Sequence, residues 1–428
     1  MLDVNWMCEN PVKVREALKN KQQDDGDFAE LLSLNDERKK LQFEGDELNR
    51  EIKEQSRLFQ STARVGGDLG PLKARSGELK ARKKGVDGRF AEVKARLLDI
   101  ALRIPNIPDD RAPRGGEEAN VVTRVEGVAP ELGFEGQDHN ALCESLEIAD
   151  TTRRAVKLAG SGFALYQGAG ARLVRALVHF FLELHTREHG YTEVLPPLLA
   201  NAETMTGTGQ LPKFGDDMYH CGRDELYLIP TAEVPVTNML RDEILSRKAL
   251  PKAFTAYTPC FRREAGSYGK DTRGLMRLHQ FNKVELVRFC LPERSDAEHA
   301  LLLSHAEEAL RRLGLHYRVL ELATADMSAS AARCFDLEAY APVSKRWFEV
   351  SSVSNFRDYQ ARRARVRYRK EEKKVDFVHT LNGSGLAVPR VIICLLEQYQ
   401  RPDGSVEVPE VLRDFMGCDR LLPTSARG

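Results

Sequence analysis

Leu31-Leu32-Ser33-Leu34-Asn35-Asp36-Glu37-Arg38-Lys39-Lys40-Leu41-Gln42-Phe43-Glu44-Gly45-Asp46-Glu47-Leu48 decides how the amino-terminal part of the chain folds. Leu34, Leu41 and Leu48 recur at every seventh residue, flanked by Leu31, Ile52 and Phe59, in a proline-free stretch over 27–62 that is dense in Glu, Lys, Arg and Leu. That spacing is the apolar stripe of a coiled-coil helix. Gly66-Gly67-Asp68-Leu69-Gly70-Pro71 interrupts it, after which Leu72, Leu79, Val86, Val93 and Ile100 resume the interval, with Phe90 and Leu97 on adjoining positions. A break this short folds the second helix back on the first, predicting an antiparallel hairpin of about 54 Å at ~1.5 Å per residue. The first helix carries Asp36, Glu37, Glu44, Asp46, Glu47 and Glu51; the second carries Lys73, Arg75, Lys80, Arg82, Lys83, Lys84, Arg89, Lys94 and Arg96. By itself, such a basic helix reads as a solvated face with ion pairs across the hairpin.

Working outward, Ile104-Pro105-Asn106-Ile107-Pro108 and the cluster of Pro113, Gly115 and Gly116 cannot continue a helix. They predict a linker over 105–119, between an arm domain (1–104) and a body (120–428). In the body, 173–189 reads as an amphipathic helix ended by Gly190, followed by a strand over 191–198 with Pro196 and Pro197 at its far end. Further β-rich stretches fall at 226–229, 253–263, 281–289, 347–354 and 377–381, separated irregularly by helical segments. This is not a βαβ alternation, so the fold class is α+β: a mostly antiparallel sheet with helices around it, preceded by the α-helical coiled-coil arm.

The 428 residues, 42% hydrophobic and 30% charged, fit a chain of two domains with a sizeable core. No run approaches the ~18 apolar residues of a membrane span. The start, Met1-Leu2-Asp3-Val4-Asn5, resembles neither a signal nor a transit peptide, and the eight cysteines include no Cys-x-x-Cys pair. A cytoplasmic protein with reduced core cysteines is expected. Lys+Arg and Asp+Glu number 64 each, so any polyanion must meet local basic surface rather than bulk charge.

Gly-x-x-x-x-Gly-Lys-Ser/Thr, Gly-x-Ser-x-Gly and His-Glu-x-x-His are all missing, which removes the usual support for P-loop, α/β-hydrolase and zincin chemistry. His185 and His189 stand four apart on one helix without a third ligand, and are expected at the surface. Three segments carry more. Phe261-Arg262-Arg263-Glu264-Ala265-Gly266-Ser267 leaves a strand and returns through Arg273-Gly274-Leu275-Met276-Arg277-Leu278-His279-Gln280-Phe281, a strand–basic loop–strand suited to clamping an anion, or simply a solvated hairpin. Glu349-Val350-Ser351-Ser352 puts Glu349 and Ser351 on one face and Ser352 on the other unless a bulge intervenes; carboxylate with hydroxyl suits Mg²⁺, and a polar edge strand is the alternative. Asn382-Gly383-Ser384-Gly385-Leu386-Ala387-Val388-Pro389-Arg390 reads as a glycine-rich turn opening an apolar helix, whose Arg390 needs an anion or a carboxylate partner.

Jointly these segments resemble the class II aminoacyl-tRNA synthetases, and within them the seryl-tRNA synthetase family of the common bacterial and eukaryotic type. The first class motif matches Gly190-Tyr191-Thr192-Glu193-Val194-Leu195-Pro196-Pro197. The second matches Phe261 to Glu264 with His279-Gln280-Phe281-Asn282-Lys283-Val284-Glu285, and the third matches Gly383 to Arg390. Family-specific segments are Gly207-Thr208-Gly209-Gln210-Leu211-Pro212-Lys213-Phe214, Thr231-Ala232-Glu233, Glu349 to Ser352, and Ser354-Asn355 with Gln360-Ala361-Arg362-Arg363. Pro389, Phe356 and His139-Asn140-Ala141-Leu142 depart from the usual pattern. A carrier-protein-charging relative would shorten the arm, and a non-catalytic descendant would lose charges among Arg262, Glu264, Glu285 and Arg390; arm and charges are all present.

The resemblance implies activation of L-serine by ATP to seryl-adenylate, then transfer to the 3′ end of tRNA(Ser), with tRNA(Sec) as a second candidate acceptor. It implies Arg262 and Arg390 as catalytic, and Arg262, Arg263, Glu264, Leu278, His279, Gln280, Phe281, Glu349, Val350, Ser351, Ser352 and Arg390 as the ATP site. Mg²⁺ would sit on Glu349 and Ser352. Serine would be held by Thr231, Ala232, Glu233, Arg262, Glu285, Asn382 and Ser384, with Glu285 on the substrate hydroxyl. It further implies a homodimer with no membrane association. In that light the basic helix becomes a tRNA surface, with Arg75, Lys80, Lys83 and Arg89 as contacts.

Overall fold

The computed structural model describes residues 1–265 and 274–426, so the middle of the expected basic clamp, 266–273, lies outside the described residues. The chain divides into two compact units, 1–105 and 106–428.

The first unit contains α1 (Val4–Glu9), α2 (Pro11–Asn20), α3 (Gly26–Arg64) and α4 (Gly70–Arg103). The break expected at 66–71 separates α3 from α4, and Pro71 sits in the first turn of α4, where its missing N–H costs nothing. Leu31, Leu48, Leu79, Val93, Leu97 and Ile100 are buried between the two helices of the arm. A ladder of ion pairs flanks this seam: Arg75–Glu51 at 3.4 Å, Arg82–Glu44 at 2.7 Å, Arg89–Glu37 at 2.8 Å and Arg96–Glu30 at 2.8 Å. Arginines advance by seven as carboxylates retreat by seven, the register of an antiparallel heptad pair.

The second unit is built on eight strands: β1 (Val121–Glu126), β2 (Thr192–Glu193), β3 (Lys252–Phe261), β4 (Gln280–Cys290), β5 (Tyr317–Glu321), β6 (Arg333–Ala341), β7 (Arg346–Arg357) and β8 (His379–Ala387). Their order is β1-β5-β6-β7-β8-β4-β3-β2, antiparallel except for β2 against β3. The helices used below are α5 (His139–Ser145), α6 (Ala169–Glu183), α7 (Ala202–Thr208), α8 (Glu233–Asn238), α9 (Ser295–Arg312), α10 (Tyr359–Ala364) and α11 (Val388–Tyr399). Leu173, Leu177 and Phe181 of α6, Leu302, Ala306 and Leu310 of α9, and Val391 and Leu395 of α11 meet Val284, Leu286, Leu337, Val350 and Val353 of the sheet in one apolar core. Residues 106–119 pack with this unit: Asn106 Nδ2 donates to the carbonyls of Ser330 (2.9 Å) and Phe356 (2.8 Å), and Asp109 is held by Arg111 and Arg357.

Three local expectations need correcting. Residues 382–387 are not a turn but the end of β8, with α11 starting at Val388; the glycines allow close approach of neighbouring side chains to the strand. A Cβ on Gly385 would lie 2.9 Å from His185 Nε2. The helix over 173–189 is α6 continued by a π-turn over Leu184–Glu188, and His185 is fully buried rather than at the surface. His185 Nδ1 meets His189 Nδ1 at 3.0 Å, and the His189 ring stacks on His305 at 4.0 Å. Finally, the strand expected over 191–198 shortens to Thr192–Glu193, with the Val194 N–H still donating to the Thr255 carbonyl at 2.8 Å, ahead of prolines that cannot donate to a ladder.

Candidate active site

The ends of β3, β4 and β7 and the start of α11 surround a cleft. The hairpin register Phe261↔Gln280 places Arg262 beside the returning chain, where its N–H donates to the His279 carbonyl at 2.9 Å. Its guanidinium lies 5.2 Å from the Phe281 ring centroid, leaving a flat apolar face next to a fixed positive charge. Glu264 sits in a left-handed backbone conformation, φ 54°, and its carboxylate pairs with Arg277. Gly274, at φ 69°, leaves room for Asn140: a Cβ there would fall 1.9 Å from its Oδ1, so the divergent 139–142 segment backs onto the returning chain.

On the opposite wall, β7 bulges at Val350: Glu349 pairs with Glu338 but Ser351 with Leu337 and Ser352 with Asp336. The extra residue inverts the simple alternation, so Glu349 and Ser352 share a face with Asp336 and Glu338, while Ser351 turns inward and donates to the Ser384 carbonyl at 2.6 Å. Burial and the nearby Glu349 push the Asp336 carboxyl well above the usual range. Arg390 donates from Nη1 to the Glu349 carbonyl at 2.8 Å and pairs with its carboxylate at 3.3 Å. The anion partner demanded by its apolar helix is therefore supplied in part by Glu349.

Lys283 lines the cleft and joins it to a deeper polar pocket. Its Nζ pairs with Glu285 Oε2 at 2.5 Å; Glu285 also accepts from Thr231 Oγ1 at 3.3 Å and Asn382 Nδ2 at 3.1 Å. Burial raises the Glu285 pKa against the opposing charge of Lys283. Glu233, at the start of α8, is likewise buried, and desolvation followed by repulsion from Glu285 pushes its carboxyl up to about 7. Two carboxylates face the Lys283 ammonium here, and a further cation would favour the charged form of both.

The cleft thus brings together Arg262, Glu264, Leu278, Phe281, Glu349, Val350, Ser384 and Arg390 of the expected residues, and the pocket brings together Thr231, Glu233, Glu285 and Asn382; Ala232 is buried. Arg263 points elsewhere, donating to the Asp216 carbonyl at 2.9 Å, and Gln280 is exposed outside the cleft lining. His279 supports rather than lines: Nδ1 donates to the Arg262 carbonyl at 2.9 Å. Sequence reasoning left Arg277, Lys283 and Gln360 without roles, although all three stand inside or beside quoted motifs. In the arm, Arg75 and Arg89 are engaged across the hairpin and Lys83 pairs with Asp87 at 2.5 Å. Lys73, Lys80 and Lys84 are exposed, with no ion pair to the described residues.

Both units of the chain are similar to known proteins. Residues 219–399 match the tRNA synthetase class II core domain (G, H, P, S and T), and residues 1–108 match the seryl-tRNA synthetase N-terminal domain. A serine–tRNA ligase from Syntrophotalea carbinolica is 57% identical over 323 residues, 75% of this chain and 76% of its own length. One from Chloroherpeton thalassium is 45% identical over 98% of this chain and 99% of its own. The crystal structure of seryl-tRNA synthetase from Pyrococcus horikoshii complexed with ATP superposes with a TM-score of 0.93 at 33% identity, over 99% of this chain and 100% of that one.

Proposed function

Because the chain belongs to the seryl-tRNA synthetase family and is an ATP-dependent serine–tRNA ligase, we infer that serine is activated where the Lys283–Glu285 pair joins the deep pocket to the cleft. The observation that carries this is the buried arrangement of Glu285 with Lys283, Thr231 and Asn382 next to Glu233. It offers acceptors for a small hydroxyl and an ammonium, while Arg262 and Arg390 supply positive charge on the cleft side. A serine carboxylate oxygen attacks the α-phosphorus of ATP, the bond to the β-phosphate bridging oxygen breaks, and pyrophosphate leaves. The terminal ribose hydroxyl of tRNA then attacks the adenylate carbonyl and AMP leaves. Arg262 would neutralise charge at the α-phosphate, Arg390 would meet the distal phosphates in place of its contact with Glu349, and Phe281 would stack on adenine. Thr231, Glu233 and Glu285 would bind serine, with Ser384 closing the pocket.

Glu349 and Ser352 fit Mg²⁺: the bulge at Val350 puts a carboxylate and a hydroxyl on one face next to Asp336, an all-oxygen set suited to a hard cation. When bound, it would neutralise phosphate charge. Residues 1–104 would capture tRNA(Ser) through the lysines that the arginine ladder leaves unpaired, and 120–428 would carry catalysis. A homodimer is supported by the edge position of β2 and the nearby exposure of Leu195 (86%) and Leu199 (42%). Among the described residues no helix is long and apolar enough to cross a membrane, and all eight cysteines are free, which fits the cytoplasm.

The experiment is serine-dependent ATP–pyrophosphate exchange, followed by charging of total tRNA. Selective exchange with serine over alanine and threonine, lost on Glu285→Ala, is expected; equal exchange with alanine would reject the pocket assignment.

A further inference from the structure

Gln360 lies on α10, is 1% exposed, and makes three hydrogen bonds that together fix its amide. Nε2 lies 2.6 Å from Glu233 Oε1 and 3.4 Å from the carbonyl of Thr208; Oε1 lies 2.8 Å from Thr380 Oγ1. The Thr208 carbonyl can only accept, so the NH₂ must face Glu233 and Thr208. The amide oxygen then faces Thr380, whose hydroxyl donates to it. Thr380 is fully buried in β8. The result is a directed relay from a strand hydroxyl through Gln360 to one carboxylate oxygen of Glu233. The same helix fastens the end of α7 and the segment after it: Arg363 donates to the carbonyls of Thr206 (3.2 Å) and Leu211 (3.3 Å).

We propose that Gln360 is a positioning residue for amino-acid binding, which orients Glu233 and favours its charged form toward the serine ammonium while tying it to the 206–211 segment. The proposal rests on the reading of Glu233 as a serine ligand. Glu233 Oε1 is engaged by Gln360, which aims the carboxylate and leaves Oε2 for a substrate cation. The charged groups acting on Glu233 are Glu285, Lys283 and Arg262, and none of them supplies this hydrogen bond. A donor to a carboxylate favours its charged form, opposing the burial and the Glu285 repulsion that favour protonation. Without Gln360 the proton stays on Glu233 to higher pH, and the ammonium meets a neutral acid.

The test uses the full-length chain and steady-state pyrophosphate exchange across pH 5.5–8.5, a window of about three pH units around an elevated carboxylate pKa. In Gln360→Met the serine KM at neutral pH is expected to rise about tenfold. Its ATP KM and its kcat at saturating serine should stay within about twofold. The acidic limb of kcat/KM for serine should move alkaline. Thr380→Val, which removes only the orienting donor, should shift both readouts the same way by a smaller factor, about two- to fivefold in KM. It also keeps the test decisive if Gln360→Met folds poorly. Serine KM and ATP KM rising together, or a limb that does not move in either variant, would overturn the relay. Glu233→Gln separates the two layers: an unchanged serine KM there rejects the serine-ligand reading and the relay with it, whereas a raised KM beside normal relay variants rejects the relay alone.

Discussion

The hairpin and the buried cluster around Glu285 contain the same kinds of ion pair under opposite conditions. In the hairpin, Arg82 and Glu44 meet at 2.7 Å with their side chains 60% and 38% exposed; in the pocket, Lys283 and Glu285 meet at 2.5 Å with 8% and 1% exposed. Water screens the first kind, so each rung contributes little singly and the ladder acts mainly by setting register. The second kind cannot be traded away piecemeal, because removing either partner leaves a charge in a dry site. The consequence for the arm is a division of labour. Arginines at seven-residue spacing are committed to the hairpin, and the lysines between them remain available for phosphate.

The contrast breaks most visibly if the arm is removed. Replacing 28–103 by a short linker is expected to cut tRNA charging by a factor on the order of 10³ while pyrophosphate exchange stays within about twofold. Next in size, Glu285→Ala should lower serine-dependent exchange at least about tenfold, equivalent to about 1.4 kcal/mol of transition-state binding. Charge reversal at Lys73, Lys80 and Lys84 should weaken tRNA binding several-fold and reduce the salt slope by roughly two to three, whereas Arg75→Gln with Arg89→Gln should change that slope little. The reverse pattern would return the contact to the arginines. Acid should also reveal His185, which is buried, and His305, which is half-buried. Burial and neighbouring imidazoles lower His185 and His305 from 6.5 to about 3, so the unfolded chain binds more protons below the ordinary value. Stability from these groups is complete above pH 6.5 and lost as pH falls toward 3; the melting midpoint should drop across that window, less steeply in His305→Phe. Smallest of all, Arg82→Gln should move the midpoint by no more than about 1–2 °C.

The hairpin was legible because helix period and heptad spacing are local properties, and the break at 66–71 is written in glycine and proline. Strands β3, β4 and β7 were legible for the same reason, as apolar runs of the right length. The bulge at Val350 was not, because bulges depend on the partner strand: nothing in Glu349 to Ser352 states that Leu337 lies opposite Ser351. Likewise 382–387 looked like a turn from its glycines, yet Gly385 is there to admit His185 from a helix almost 200 residues earlier. Gln360 stood in a quoted family segment but without a role; its role comes from Glu233 and Thr380, which only the fold brings to it. The arm residues show the converse. Arginine and lysine look alike in a charge count, and only the paired helices separate ladder from free surface.

The central claim, that serine is activated in the pocket while the arm serves tRNA alone, is tested most directly by titrating a non-hydrolysable seryl-adenylate analogue into three proteins. These are the full chain, the chain lacking 28–103, and Glu285→Ala. The account predicts equal Kd for the first two and a loss of about tenfold or more for the third. A weakened Kd on arm removal, or an unchanged one in Glu285→Ala, would contradict it.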